Sequence, residues 1–79
     1  MRALLRLAAL HSRRGEFERS DALFREGLPP ARNSLRPDQF LEFLNEHAAV
    51  KAFRGEHREA RRLCEEGLRR LTRARGRRR

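Results

Sequence analysis

The chain repeats itself forty residues apart. Between Leu4 and Leu28, ten of twenty-five positions recur at that offset: Leu4/Leu44, Ala8/Ala48, Ala9/Ala49, the triplets Arg14-Gly15-Glu16 and Arg54-Gly55-Glu56, Leu23/Leu63, Glu26/Glu66, Gly27/Gly67 and Leu28/Leu68. A fixed-period repeat constrains a fold strongly, because each copy is one supersecondary unit whose apolar face must be covered by a neighbouring copy. With 79 residues there is room for one domain, and two such units fill it.

Apolar spacing makes each unit a pair of helices. Residues 2–14 place Leu4, Leu7, Ala8 and His11 on one helical face, with Leu5, Ala9 and Ser12 flanking it. Residues 17–28 carry the stripe Phe17, Ser20, Leu23, Phe24, Gly27 and Leu28. Residues 37–54 carry Phe40, Leu41, Leu44, Ala48 and Lys51/Ala52, widened by Phe43 and Val50. Residues 57–73 turn Ala60, Leu63, Cys64, Gly67, Leu68 and Leu71 inward. Gly15 and Gly55 punctuate the two pairs as residues free to take positive φ just past a helix end. Ser20 and Gly27 are small within an apolar stripe, and the second copy is small again at Ala60 and Gly67, which predicts close helix–helix approach. Pro29-Pro30 are expected to end the second helix, since neither can donate to the ladder. Residues 29–36 then form a linker, with Asn33 or Ser34 as cap and Pro37 in the first turn of the next helix.

Net charge is +9, but it is unevenly held. Residues 69–79 contain seven Arg and no acid, while residues 1–68 hold thirteen Lys/Arg against eleven Asp/Glu. The expected domain is 1–73, followed by an Arg-rich tail at 74–79 that should fray. A lone Cys64 allows no intrachain disulfide. Arg6 interrupts the apolar N-terminal stretch, no signal-like cleavage site follows it, and no run is long enough to span a membrane. A cytoplasmic location and no membrane partner are expected.

The spacing resembles the tetratricopeptide repeat. That family's pattern is a bulky residue, two spacers, Leu and a small residue, two spacers and an aromatic, then a small residue, three spacers and an aromatic, then Pro. The first copy reads Leu4, Leu7-Ala8, His11, Ser20, Phe24 and Gly27-Leu28, followed by Pro29-Pro30; the second reads Leu44, His47-Ala48, Lys51, Ala60, Cys64 and Gly67-Leu68. His47 and Lys51 depart from the pattern, and the period is 40 where the family has about 34. The resemblance covers residues 2–71. It implies an all-α fold of two antiparallel helical hairpins, stacked as a fragment of a right-handed superhelix. It also implies a groove for a partner segment, lined by the first helix of each pair: Arg2, Leu5, Arg6, Ala9, Ser12 and Arg13, then Glu42, Asn45, Glu46, Ala49, Ala52 and Phe53. The competing reading pairs Arg2 with Glu42 and Arg6 with Glu46 as surface ion pairs, worth about 0–1 kcal/mol each. Two copies fall short of the roughly three that usually stand alone, which suggests a homo-oligomer, a swap through the 29–36 linker, or a piece of a longer array.

Nothing in the sequence suggests catalysis, a cofactor or a metal. His57 and Cys64 share a helix face, but two ligands do not close a zinc site. His11 and Cys64 fall at core positions, and there is no Gly-rich phosphate loop. The expected function is a protein–protein interaction scaffold, binding a partner segment or its own copy. The alternative lies in the tail, where Arg69, Arg70, Arg73, Arg75, Arg77, Arg78 and Arg79 could engage nucleic acid or an acidic partner by counterion release.

Overall fold

The computed structural model describes residues 2–76 and the side chains of residues 4–76. The chain forms four helices: α1 (Arg2–Arg13), α2 (Phe17–Ser34), α3 (Pro37–Phe53) and α4 (His57–Gly76). The fold is all-α. α1 packs on α2 and α3 on α4 as two hairpins, α2 also packs on α3, and α1 and α3 meet only marginally.

The sequence repeat is a repeat of geometry. After α1, Gly15 N–H donates to Ser12 O (3.0 Å) and Glu16 N–H to His11 O (2.8 Å); after α3, Gly55 N–H donates to Ala52 O (2.9 Å) and Glu56 N–H to Lys51 O (2.8 Å). This is the double bond of a Schellman cap, which requires a left-handed residue. Gly15 and Gly55 supply it at φ 77° and 81°. The side chains repeat as well: His11 meets Glu16 at 3.3 Å and Lys51 meets Glu56 at 3.7 Å.

The small residues sit at helix crossings. Ser20 Oγ donates to Ala8 O at 2.8 Å, binding α2 to α1 through a buried hydrogen bond. A Cβ on Gly67 would lie 2.7 Å from Leu41 Cδ1 and 3.2 Å from Leu41 Cα, so α3 and α4 need a glycine there. The core centres on α3, whose Phe40, Phe43, Leu44, Ala48 and Val50 are buried together with Ala8, Phe24 and Ala31. α3 is buried broadly because α2 and α4 cover it from two sides.

Four expectations are corrected. Pro29 and Pro30 lie inside α2, which runs on to Ser34, so the expected 29–36 linker reduces to the connection at Leu35-Arg36. The prolines leave the carbonyls of Arg25 and Glu26 without helical donors. All four residues are exposed, so water can serve those carbonyls, and the next turn carries the fully buried Ala31. Packing therefore overrides the local signal. The N-cap of α3 is Arg36, whose N–H donates to Gln39 Oε1 at 3.2 Å, in place of Asn33 or Ser34. Leu7 and Leu68, read as core-facing, are among the exposed apolar residues. At the C-terminal end α4 runs to Gly76, so residues 74–76 are helical; the rest of the expected tail, 77–79, lies outside the described residues.

Candidate functional site

Two features bear on function: a charge cluster gathered around a buried acid between the hairpins, and an apolar stripe left open on α1.

The cluster is built on Asp21, which the first buried turns of α2 point at α3. Its Oδ1 lies 2.9 Å from His47 Nε2 and 2.9 Å from Lys51 Nζ. Its Oδ2 lies 2.9 Å from an Arg54 guanidinium nitrogen and 3.0 Å from Arg25 Nε. Lys51 also reaches Glu59 on α4 at 3.1 Å. Phe24 stacks on the His47 ring (5.1 Å, 12°) and meets Phe43 edge-on (5.4 Å, 76°). Burial alone would raise the Asp21 pKa, but hydrogen bonds and charge from Lys51 and His47 outweigh it and hold the carboxyl below its ordinary value. Burial likewise disfavours the Lys51 ammonium, yet Asp21, Glu59 and Glu56 overcome it and raise its pKa. For His47, burial dominates and lowers the pKa; the Asp21 bond opposes this, while Lys51 and Arg25 add to it. The imidazole is therefore neutral near pH 7, with Nε2–H donating to Asp21. Its Nδ1 is buried without a partner among the described residues. A lone pair is the cheaper group to leave there; protonation would strand a donor.

Chemically the cluster is a fastener. Both Asp21 oxygens are engaged and the side chain is closed to solvent. A cleft of about 310 Å3 opens above it between α2 and α4, walled by Arg25, Leu28, Glu59 and Leu63 with His47 and Lys51 on its floor. Sequence reading missed this site: Asp21 is not among the residues that the apolar pattern or the repeat singles out. The available signal was the His47/Lys51 pair, one turn apart inside the most apolar stripe of the chain. Two buried polar groups demand a buried counter-charge.

The residues expected to line a groove are mostly open to solvent. Arg6, Arg13, Glu42, Asn45, Glu46 and Ala49 are exposed, Ala9, Ser12 and Ala52 are half-buried, and Leu5 packs against the core. Phe53 is 71% exposed but stacked on Phe17 at 5.2 Å. The side chain of Arg2 lies outside those described. Among the described residues, neither Arg6 nor Glu42 nor Glu46 takes part in an ion pair within 4 Å, so the expected Arg6–Glu46 pair is absent. His11 is half-buried beside Glu16, and Cys64 is a half-buried free thiol.

The second feature lies where the two copies of the repeat differ. On α3, Phe43, His47, Val50 and Arg54 form the stripe that faces α2. Forty residues earlier the stripe is Leu7, Leu10 and Arg14, and among the described residues no helix lies across it. His47 is 1% exposed and Val50 2%, whereas Leu7 and Leu10 are each 44% exposed. At the opposite end, α4 presents Arg61, Cys64 and Leu68 where α2 has Asp21, Phe24 and Leu28. Leu68 is 54% exposed.

The basic residues spread along α4. Arg69, Arg73 and Arg75 are exposed; Arg70 is half-buried, its guanidinium 4.6 Å above the Phe40 ring. Arg32 of α2 bridges to Glu66 of α4 at 2.9 Å, and with Arg69, Arg70 and Arg73 these two line a shallow depression. Arg77, Arg78 and Arg79 lie outside the described residues.

No protein-family model, curated protein or solved structure matches the chain. Among the described residues, no three His, Cys, Asp or Glu side chains group to hold a metal ion, and no helix is long and apolar enough to cross a membrane.

Proposed function

We propose that the chain is a two-hairpin interaction module of the tetratricopeptide kind, which binds another protein along α1 and the open side of α3. The observation that carries this reading is the contrast between Leu7/Leu10 and His47/Val50. The same repeat position is sealed by a helix in one copy and open in the other. Contiguous exposed apolar side chains rimmed by charge are the usual mark of an interaction surface. Arg6, Arg13, Asn45 and Glu46 are exposed polar residues of the same two helices, and Phe53 offers an aromatic anchor of the type enriched at binding hot spots. No catalytic step is assigned.

Binding to its own copy is the weaker form of the reading. The stretch expected to hinge a domain swap is helical to Ser34. Head-to-tail stacking would set Arg61 of one copy against Arg14 of the next. A second reading, nucleic-acid binding, draws on the convergence of Arg32, Arg69, Arg70 and Arg73 at one end. It is opposed by Glu66 within the same depression and by the use of Arg70 against Phe40.

Selection from a displayed-peptide library at about physiological salt separates the two. Ligands whose footprint in amide exchange falls on α1 or α3, and which survive removal of residues 77–79, support the interaction reading. It fails if no peptide is selected while DNA or RNA binds, with affinity collapsing between about 50 and 200 mM salt and lost on neutralising Arg69 and Arg73.

A further inference from the structure

We infer that the Leu7–Leu10–Arg14 stripe of α1 docks a partner protein's amphipathic helix that carries a carboxylate one turn ahead of an aromatic or aliphatic side chain. This rests on the interaction reading above and names the partner's chemistry.

The chain contains the docked state of the same surface, one repeat later. On α3 the stripe is covered by α2, which brings two things. Phe24 packs over His47 and against Phe43, and the Asp21 carboxylate meets the basic end of the stripe, at Lys51 and Arg54, 2.9 Å from each. The α1 stripe keeps both demands. Leu7 and Leu10 replace His47 and Val50 and call for apolar cover. His11 and Arg14 replace Lys51 and Arg54, and Arg13 adds a third basic side chain. The acid nearest in sequence, Glu16, is already engaged by His11 at 3.3 Å and Arg19 at 3.1 Å. Among the described residues Arg14 takes part in no ion pair. A helix covering this stripe must therefore supply the carboxylate itself.

That requirement discriminates against a second copy of the chain. The free face of α4 has Arg61 where α2 has Asp21, so self-stacking would bring a guanidinium to Arg14. Like charges brought together at an interface suppress a pairing. The occupant that fits is an acidic helix of the α2 type on a different protein.

The probe is a synthetic helix with the sequence of residues 17–28, stapled across its Glu18 and Ala22 positions, which are exposed in α2. It is titrated into the full chain, labelled at Leu and Val methyls for NMR. Saturable shifts at Leu7 and Leu10 are expected. An Asp21→Lys probe should bind about tenfold more weakly or worse, and the Arg14→Glu chain should reverse that preference. The inference is overturned if Leu7 and Leu10 do not move up to the solubility of the probe. It is also overturned if the Asp21→Lys probe binds equally well, or if the shifts fall on Val50 because the probe displaces α2. If the probe fails while displayed-library ligands still footprint on α1 or α3, the interaction reading stands and only this partner chemistry falls; if both fail, both fall.

Discussion

Asp21 is the buried acid at the centre of the charge cluster. Its side chain is shielded from water and faces four basic groups, so removing its charge leaves the buried Lys51 with only the more exposed Glu56 and Glu59 as counter-ions. Asp21→Asn preserves shape and should cost about 3–5 kcal/mol in urea unfolding, the range for breaking a buried pair on one side. His47 gives the fold a pH dependence whose sign follows from burial. Its folded pKa lies below the ordinary 6.5, so the unfolded chain takes up the proton first. Stability from this group is complete above about pH 6.5 and declines as the pH falls toward the folded value. Asp21 acts lower down: its depressed pKa contributes stability above the ordinary 3.8, lost as the pH falls through the folded value. Lys51 acts at the alkaline end, where stability persists below 10.5 and is lost as the pH rises through its raised value. Urea midpoints of wild type and His47→Gln, compared at about pH 7.5 and 5.5, should show the wild type losing stability on acidification and the variant losing less.

At the scale of elements, α2 shows where sequence and structure part. Helix existence, the two glycine stops and the small residues at the crossings were legible, because 3.6-residue periodicity and the forty-residue offset reinforce each other. The end of α2 was not. Pro29-Pro30 is a strong local stop, and the packing of Ala31 that overrides it depends on elements distant in sequence. The charge cluster was illegible for a related reason: Asp21 belongs to α2, its partners to α3 and the following turn, and no local spacing joins them. Pro30→Ala should restore a donor to the Glu26 carbonyl and stabilise the fold by about 1–3 kcal/mol, seen as a raised urea midpoint. The glycines predict an ordered pair of costs. Alanine at Gly67 presses on Leu41 backbone, whereas at Gly27 it meets the end of the Leu4 side chain, which can swing aside. Gly67→Ala should therefore cost about 1–3 kcal/mol despite better helix propensity, and Gly27→Ala clearly less.

As a whole, the molecule is a slab of 44 × 26 × 17 Å, under two helix diameters thick. A stack so thin buries its central helix well and its outer helices on one side only, hence the open stripes on α1 and α4. Replacing Leu7 and Leu10 together by Gln should cut binding of a hydrophobic dye while moving stability by only about 1 kcal/mol or less, since both are already half in water. The buried carboxylate has a further consequence, for cooperativity. Each hairpin closes through a short turn and local contacts, so each could in principle open alone, as units of a repeat array do when their interface is weak. Asp21 ties an acid of one hairpin to the bases of the other, and parting the hairpins breaks these pairs together with the Phe24 contacts to Phe43 and His47. The wild type should thus melt in one step, with calorimetric and van't Hoff enthalpies equal. Asp21→Asn should separate the two hairpins, with α1 and α2 exchanging their amide protons first.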